Sequence, residues 1–239
     1  MLSAERREET LMKIKGLQKL TLLDYPGELA CTVFLFGCNF RCPFCHNASL
    51  VLNRGDDEEI SESEFFEFLS SRVGRLSAVC ISGGEPTLNP EIFEFISKIK
   101  AMGFKVKLDT NGYKPSAIRE LISASLLDYV AMDIKNSPES YAATAGLLGI
   151  DISLIKESAE LLRSSGVDFE FRTTVVRELH SLSDIRSIGE WLAGGEKFYL
   201  QAFKDSGDII SGGLSSPTEQ EMDALLSELK KYIPLAEKR

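Results

Sequence analysis

Gly37-Cys38-Asn39-Phe40-Arg41-Cys42-Pro43-Phe44-Cys45-His46-Asn47 follows directly on an apolar run over residues 30–36 that reads as a buried strand. The stretch sets three cysteines at C-x3-C-x2-C spacing. So short a loop cannot spread its sulfurs widely, and the three thiolates must wrap one centre. Four cysteines would close an iron–sulfur cube, one thiolate to each iron. Three leave one iron without a protein ligand, and an open metal position is where chemistry takes place, as at catalytic zinc. A structural zinc knuckle completed by His46 is the competing reading. Zinc sites usually pair two separated ligand clusters, whereas Cys45 and His46 are neighbours and no second pair follows. The motif alone leaves both readings open.

The bulk numbers narrow the setting. A chain of 239 residues with 44% hydrophobic and 26% charged residues fits a globular α/β domain. A net charge of −9 excludes the basic face that nucleic acid requires. The small basic groups (Lys13, Lys15, Lys19 and Lys98, Lys100, Lys105, Lys107) read as solvated faces. No apolar run approaches the ~20 residues that span a bilayer, and residues 1–12 lack the apolar core of a secretion signal. A cytoplasmic protein without membrane contact is expected. Of five cysteines, Cys31 and Cys80 lie in apolar runs and read as core residues. That leaves ligands for one cluster and none for a second.

Residues 1–11 read as a mobile, charged extension, and Met12 begins the sequence that patterns as one folded domain over 12–239. Residues 54–59 form a polar connector. Ser61 with Glu64 is a capping box opening a helix with Phe65, Leu69 and Val73 inward. Strand and helix then alternate. Strands are expected at 76–82, 104–109, 128–134, 168–176 and 198–203, after the first at 30–36. Between them, helices start at Asn89-Pro90, at Pro115, at Ile152 and near Ser181, the third closed by Gly166. Ser216 with Glu219 reads as a second capping box for a last helix that buries Met222, Leu225, Leu226, Leu229 and Ile233. Six βα units imply a parallel sheet with right-handed crossovers. Six is fewer than the eight of a closed barrel, and periodicity alone leaves a doubly wound sheet as the alternative.

The unusual polar groups fall at the strand ends. Ser82-Gly83-Gly84-Glu85-Pro86 comes one βα unit after the cysteines, and its glycines allow close approach to bare backbone. Asp109-Thr110-Asn111-Gly112 and Met132-Asp133-Ile134-Lys135 end the next two strands. Each has a bland reading, as a turn, a cap or a solvated lysine. Arg172 reads equally as a structural ion-pair partner, and His180 as a surface or capping histidine.

Taken together these motifs resemble the radical S-adenosylmethionine (radical SAM) superfamily. The resemblance implies an α/β fold, an open partial TIM barrel (β/α)6 with a C-terminal helix. It implies one [4Fe–4S] cluster on Cys38, Cys42 and Cys45, whose open iron chelates S-adenosyl-L-methionine and whose electron yields a 5'-deoxyadenosyl radical. Gly83, Gly84 and Glu85 would meet the methionine ammonium, Phe44 the adenine, and Lys135 and Arg172 the cosubstrate. Asp-Thr-Asn-Gly and Met-Asp-Ile-Lys are similar to motifs of the glycyl-radical-enzyme activases, which implies a monovalent cation held by Asp109, Thr110, Met132 and Asp133. The run from Gly16-Leu17-Gln18-Lys19 through Asp24-Tyr25-Pro26-Gly27 to the cysteines resembles activating proteins of anaerobic ribonucleoside-triphosphate reductase. That likeness implies an anaerobic ribonucleotide reductase as glycyl radical partner and a one-electron donor such as flavodoxin or ferredoxin. One departure is Lys204, where pyruvate formate-lyase activases place a histidine. The rival enzyme reading is a radical SAM synthase of deazapurine-forming type acting on a small molecule, or an activase for a formate-lyase-like partner. The rival from another class is a metal-stabilised interaction protein.

Overall fold

Each apolar run becomes a strand of one sheet, and each 3.6-period segment a helix packed upon it. The computed structural model describes residues 12–52, 59–205 and 207–239. The expected extension over 1–11 lies outside the described residues, as does nearly all of the connector at 54–59. The order is β1 (Ile14–Thr21), β2 (Ala30–Leu35), α1 (Ala48–Val51), α2 (Glu62–Ser70), β3 (Ala78–Gly83), α3 (Ile92–Ala101), β4 (Lys105–Thr110) and α4 (Pro115–Ser123). It continues with β5 (Tyr129–Asp133), α5 (Tyr141–Thr144), α6 (Ile152–Ser165), β6 (Asp168–Val175), α7 (Leu182–Trp191), β7 (Lys197–Ala202), α8 (Glu219–Leu229) and β8 (Ala236–Lys238).

The strands lie in one eight-stranded sheet in the order of the chain, and its two edges do not pair. Strands β2 to β7 are the six expected parallel strands. Two edge strands were not expected: β1 runs antiparallel to β2, and β8 adds parallel to β7 after the last helix. Among the described residues no helix is long and apolar enough to cross a membrane.

Three local expectations are corrected. Helix α8 is capped by Thr218, not Ser216: its hydroxyl accepts from Glu221 N while Glu221 reaches back to the Thr218 N–H at 2.6 Å. Helix α3 starts at Ile92, because a 3₁₀ turn over Pro86–Leu88 comes first and Asn89 Oδ1 instead accepts from Glu91 N at 3.0 Å. Val73 falls beyond the end of α2 and is exposed. The Ser61–Glu64 box and the Gly166 cap stand as read.

Register decides where the polar motifs meet. Leu35 pairs with Gly83, Thr110 with Met132, Asp133 with Arg172, and Thr174 with Gln201. Parallel pairing therefore brings the carboxyl ends of the strands, with their polar motifs, to one rim.

Candidate functional site

The cysteine loop leaves β2 through Gly37, whose φ of +94° favours glycine. The loop is held by backbone: Gly37 N–H donates to Leu50 O at 2.9 Å, and Glu85 N–H donates to Gly37 O at 2.7 Å. A Cβ on Gly84 would lie 2.0 Å from Gly37 O, and one on Gly83 would lie 2.3 Å from Leu35 O. The two glycines thus let the end of β3 pack backbone against backbone under the cysteine loop. Both also border the cleft above it.

That cleft has a volume of about 230 Å³, and Cys38, Cys42 and Cys45 all line it, with Phe44, Gly83, Gly84, Asp109, Thr110, Asp133, Lys135 and Arg172. Burial pushes the Cys38 thiol up to about 12 and Cys42 up to about 11, and raises Cys45 in the same direction. Thiolates form there when metal charge compensates for lost water, so loading must release protons. Phe40 N–H already donates to Cys38 Sγ at 3.3 Å. Among the described residues no group of three or more His, Cys, Asp or Glu side chains is gathered tightly enough for a single ion. His46 is stacked on Phe203, ring centroids 5.4 Å apart, so the Cys₃His zinc set is not assembled. Three thiols spread around one cleft suit a multi-iron cluster better than one ion with ligands at about 2.3 Å.

Glu85 follows the two glycines but keeps its side chain out of the cleft. Its carboxylate is fully buried and turned away from the cleft. It accepts from Thr87 N at 3.1 Å, the Thr87 hydroxyl, Thr110 Oγ1 at 2.8 Å and Asn111 N at 2.6 Å. Burial pushes its carboxyl up, opposed by these donors. Its side chain ties the end of β3 to the end of β4.

Period two puts Lys107 and Asp109 on one face of β4, and Glu170, Arg172 and Thr174 on one face of β6. Lys107 is buried and ion-paired with Asp109, which corrects its reading as a solvated lysine. Arg172 Nε donates to Asp133 Oδ1 at 2.9 Å and its guanidinium reaches Asp109 Oδ1 at 3.4 Å. Lys135 Nζ donates to Asp133 Oδ2 at 3.0 Å. Burial alone would raise both carboxyls, but Arg172 with its lysine neighbours overrides it: Asp109 is lowered and Asp133 falls to about 2. Three cationic side chains face two carboxylates, a surplus of one positive charge that fits a cosubstrate carboxylate. Met132 is buried beneath, its methyl close under Gly112.

His180 is buried, not on the surface. Val176 N–H donates to its Nδ1 at 3.1 Å, so its Nε2 carries the proton and donates to Lys135 O at 2.9 Å. Its ring meets Phe44 edge-on at 6.5 Å, and it thereby supports two cleft residues from behind. Two further lining residues, Thr174 and Gln201, escaped the sequence reading. The signal was a polar residue at the carboxyl end of a largely apolar strand.

An unclosed parallel sheet with a three-cysteine loop on its carboxyl rim defines a class, and comparison with known proteins gives it a family. Residues 32–192 match the radical SAM superfamily, and the chain belongs to it. A Methanocaldococcus jannaschii protein whose name assigns it to the glycyl-radical enzyme activating enzymes is 36% identical over 229 residues, covering 92% of each chain. By homology the chain falls with that group. The pyruvate formate-lyase-activating enzyme of Clostridium pasteurianum is 32% identical over 131 residues, 52% of either chain. In fold the chain is similar to QueE of Escherichia coli, with a TM-score of 0.55 over 96% of this chain and 94% of that one at 13% identity. The family works with a [4Fe–4S] cluster on three cysteines and with S-adenosylmethionine. Cys38, Cys42 and Cys45 are the residues here that would hold the cluster, and it supplies the electron that cleaves the sulfonium.

Proposed function

We propose that this chain activates a glycyl radical enzyme, and that its partner is an anaerobic ribonucleoside-triphosphate reductase. The observation that carries the activase reading is the likeness to a relative named for that activity over 92% of both chains. The run from Gly16 through Asp24-Tyr25-Pro26-Gly27 to the cysteines supports the choice of partner. In the proposed reaction the deoxyadenosyl group from S-adenosylmethionine takes one hydrogen atom from a glycine Cα of the partner. 5'-Deoxyadenosine and methionine leave, and the radical is delocalised between the flanking amides. No acid–base pair is required, since no free proton moves. This chain's residues bind and orient the cosubstrate and exclude water. In the same proposal Gly83 and Gly84 border the methionine end, Phe44 the adenine, and Lys135 and Arg172 the carboxylate. A monovalent cation is proposed at Asp109, Thr110, Met132 and Asp133, where it would have to displace Arg172 or Lys135 from a carboxylate.

A second reading, a synthase acting on a small molecule, has one observation in its favour. The cleft shares Asp109, Arg172 and Gln201 with a second cavity of about 470 Å³ that Lys107, Glu170 and Arg239 also line and that exposed Leu22 and Leu23 border. These charges are largely spent on one another, with Arg239 bidentate on Glu170 at 3.0 and 3.1 Å, which leaves few groups to recognise a metabolite.

The test is anaerobic. The reduced protein is mixed with S-adenosylmethionine and the ribonucleotide reductase of the same cell. A glycyl doublet in the electron-spin-resonance spectrum, lost when the candidate glycine becomes alanine, is expected. Cosubstrate cleavage without a radical on any glycyl enzyme of that cell would favour the synthase.

A further inference from the structure

Asn39 lies between the first two cysteines of the loop. Its Oδ1 accepts from Asn111 Nδ2 at 2.8 Å. Asn111 is itself fixed from both sides: Tyr113 N–H donates to its Oδ1 at 3.0 Å, and its own backbone N–H donates to Glu85 Oε2 at 2.6 Å. These bonds settle which way each amide points. Because a backbone donor occupies the Asn111 oxygen, Asn111 must present its NH₂ to Asn39. With the Asn39 oxygen occupied in turn, the Asn39 NH₂ must point elsewhere. That NH₂ is buried and has no hydrogen-bond partner among the described residues. Buried donors are rarely left unpaired, and each exception calls for a cause.

The Asn39 NH₂ does not reach Cys38 Sγ, whereas its partner Asn111 does. Asn111 Nδ2 lies 3.9 Å from Cys38 Sγ, and Phe40 N–H donates to the same sulfur at 3.3 Å. As a free thiol, Cys38 turns its proton toward Asn39 Oδ1, 3.9 Å away. As a metal-bound thiolate it has no proton to give and becomes an acceptor only. Loading would therefore turn this corner from one with a surplus donor into one with acceptors to match, the ligand sulfur and the cluster it would hold.

We propose that Asn111 Nδ2 is a hydrogen-bond donor to the Cys38 sulfur, that the buried Asn39 NH₂ left without a partner is held for the cluster that Cys38 would ligate, and that this amide pair sets the reduction potential of the cluster. Donors to sulfur stabilise the extra negative charge of the reduced state and so raise the potential. Both asparagines are positioning residues in this role, since neither needs to touch the cosubstrate. The inference rests on the three-cysteine cluster and is independent of which partner is activated.

The experiment uses the full chain with its cluster reconstituted anaerobically. Asn39→Asp keeps the acceptor for Asn111 but removes the buried NH₂ and adds charge, whereas Asn111→Ala removes the donor to Cys38. Potentiometric titration followed by spin resonance is expected to give a lower midpoint in both variants at unchanged iron and sulfide content. In the unaltered sequence, asparagine labelled with ¹⁵N in the side chain alone should show nitrogen coupling to the reduced cluster. Asn47→Ala, which removes the other cleft asparagine, should leave that coupling in place. Unchanged midpoints in two fully loaded variants would overturn the proposal. Should the variants fail to load, absence of the nitrogen coupling in the unaltered protein would overturn it instead.

Discussion

Arg172 stands at the centre of the charged group, bridging Asp109 and Asp133 across β4, β5 and β6. A guanidinium seated between two carboxylates competes with any small cation for the same oxygens. If the proposed monovalent cation binds, Arg172→Ala should open the site. Cosubstrate affinity would then depend more steeply on potassium or sodium than in the unaltered protein, measured by calorimetry at constant ionic strength. Equal insensitivity in both proteins would remove the cation from the proposal. The cysteines divide just as sharply. Cys42 lines the cleft, whereas Cys31 and Cys80 are buried within β2 and β3. Cys42→Ala should abolish stable cluster binding. Cys31→Ala and Cys80→Ala should each cost roughly 1 kcal/mol, the scale of deleting one buried heavy atom. They should retain about four irons per chain, as a single cubane requires.

The junction between β3 and the cysteine loop is where secondary structure builds the site. Gly84→Ala would press a methyl onto the Gly37 carbonyl, a contact between two backbones that neither can relieve by a rotamer change. Overpacking of this kind costs about 1–3 kcal/mol, hence roughly 2–12 °C in Tm for a chain of this size. Because the strained partner is the cysteine loop, iron content should fall with Tm. A fall in Tm with full iron content would show that the loop tolerates the shift. In the sequence Gly-Gly marks this junction as a place of close backbone approach, but the spacing does not say whether a ligand or another backbone comes close. Strands β2, β3, β5 and β7 were legible from their largely apolar runs, and β4 and β6 from alternation, since Lys105, Lys107 and Asp109 on one strand and Glu170, Arg172 and Thr174 on the other share a polar face. β1 was not, since Lys15, Gly16, Gln18 and Lys19 break its pattern on a partly exposed edge, and β8 is three residues long. That the three cysteines meet at one cleft was legible from their spacing, whereas the choice between an iron–sulfur cluster and zinc needed the other motifs. The inward turn of Glu85 and the burial of Lys107 and His180 were not, because each depends on partners 25 or more residues away or on which face of a strand turns inward.

At the scale of the whole molecule, the net charge and one local charge point in opposite directions. The chain carries −9 overall, so an acidic one-electron donor such as a flavodoxin approaches against repulsion. Beside Cys38 one positive group stands out: Arg41, exposed in the cysteine loop, donates to Cys38 O at 2.6 Å and Phe40 O at 2.8 Å, which fixes a guanidinium there, while Asp208 lies on the Cys45 side. Which of the two governs electron delivery can be read from salt. The Debye length shrinks from about 30 Å at 0.01 M to about 8 Å at 0.15 M. Repulsion between two net charges acts over the longer range and is screened first. If net charge dominates, the second-order rate of cluster reduction by an acidic donor should rise as salt is added over that range. If Arg41 steers the donor, the rate should fall instead, and Arg41→Ala should flatten the dependence. The net charge is spread over the surface while the reduced site is a single rim, and the bound cosubstrate brings its own sulfonium to that rim. We therefore expect the rate to fall with salt in the presence of S-adenosylmethionine and to rise in its absence. Stopped-flow absorbance of the cluster under the two conditions measures both slopes, and two slopes of the same sign would show that the bound cosubstrate does not set the field the donor meets.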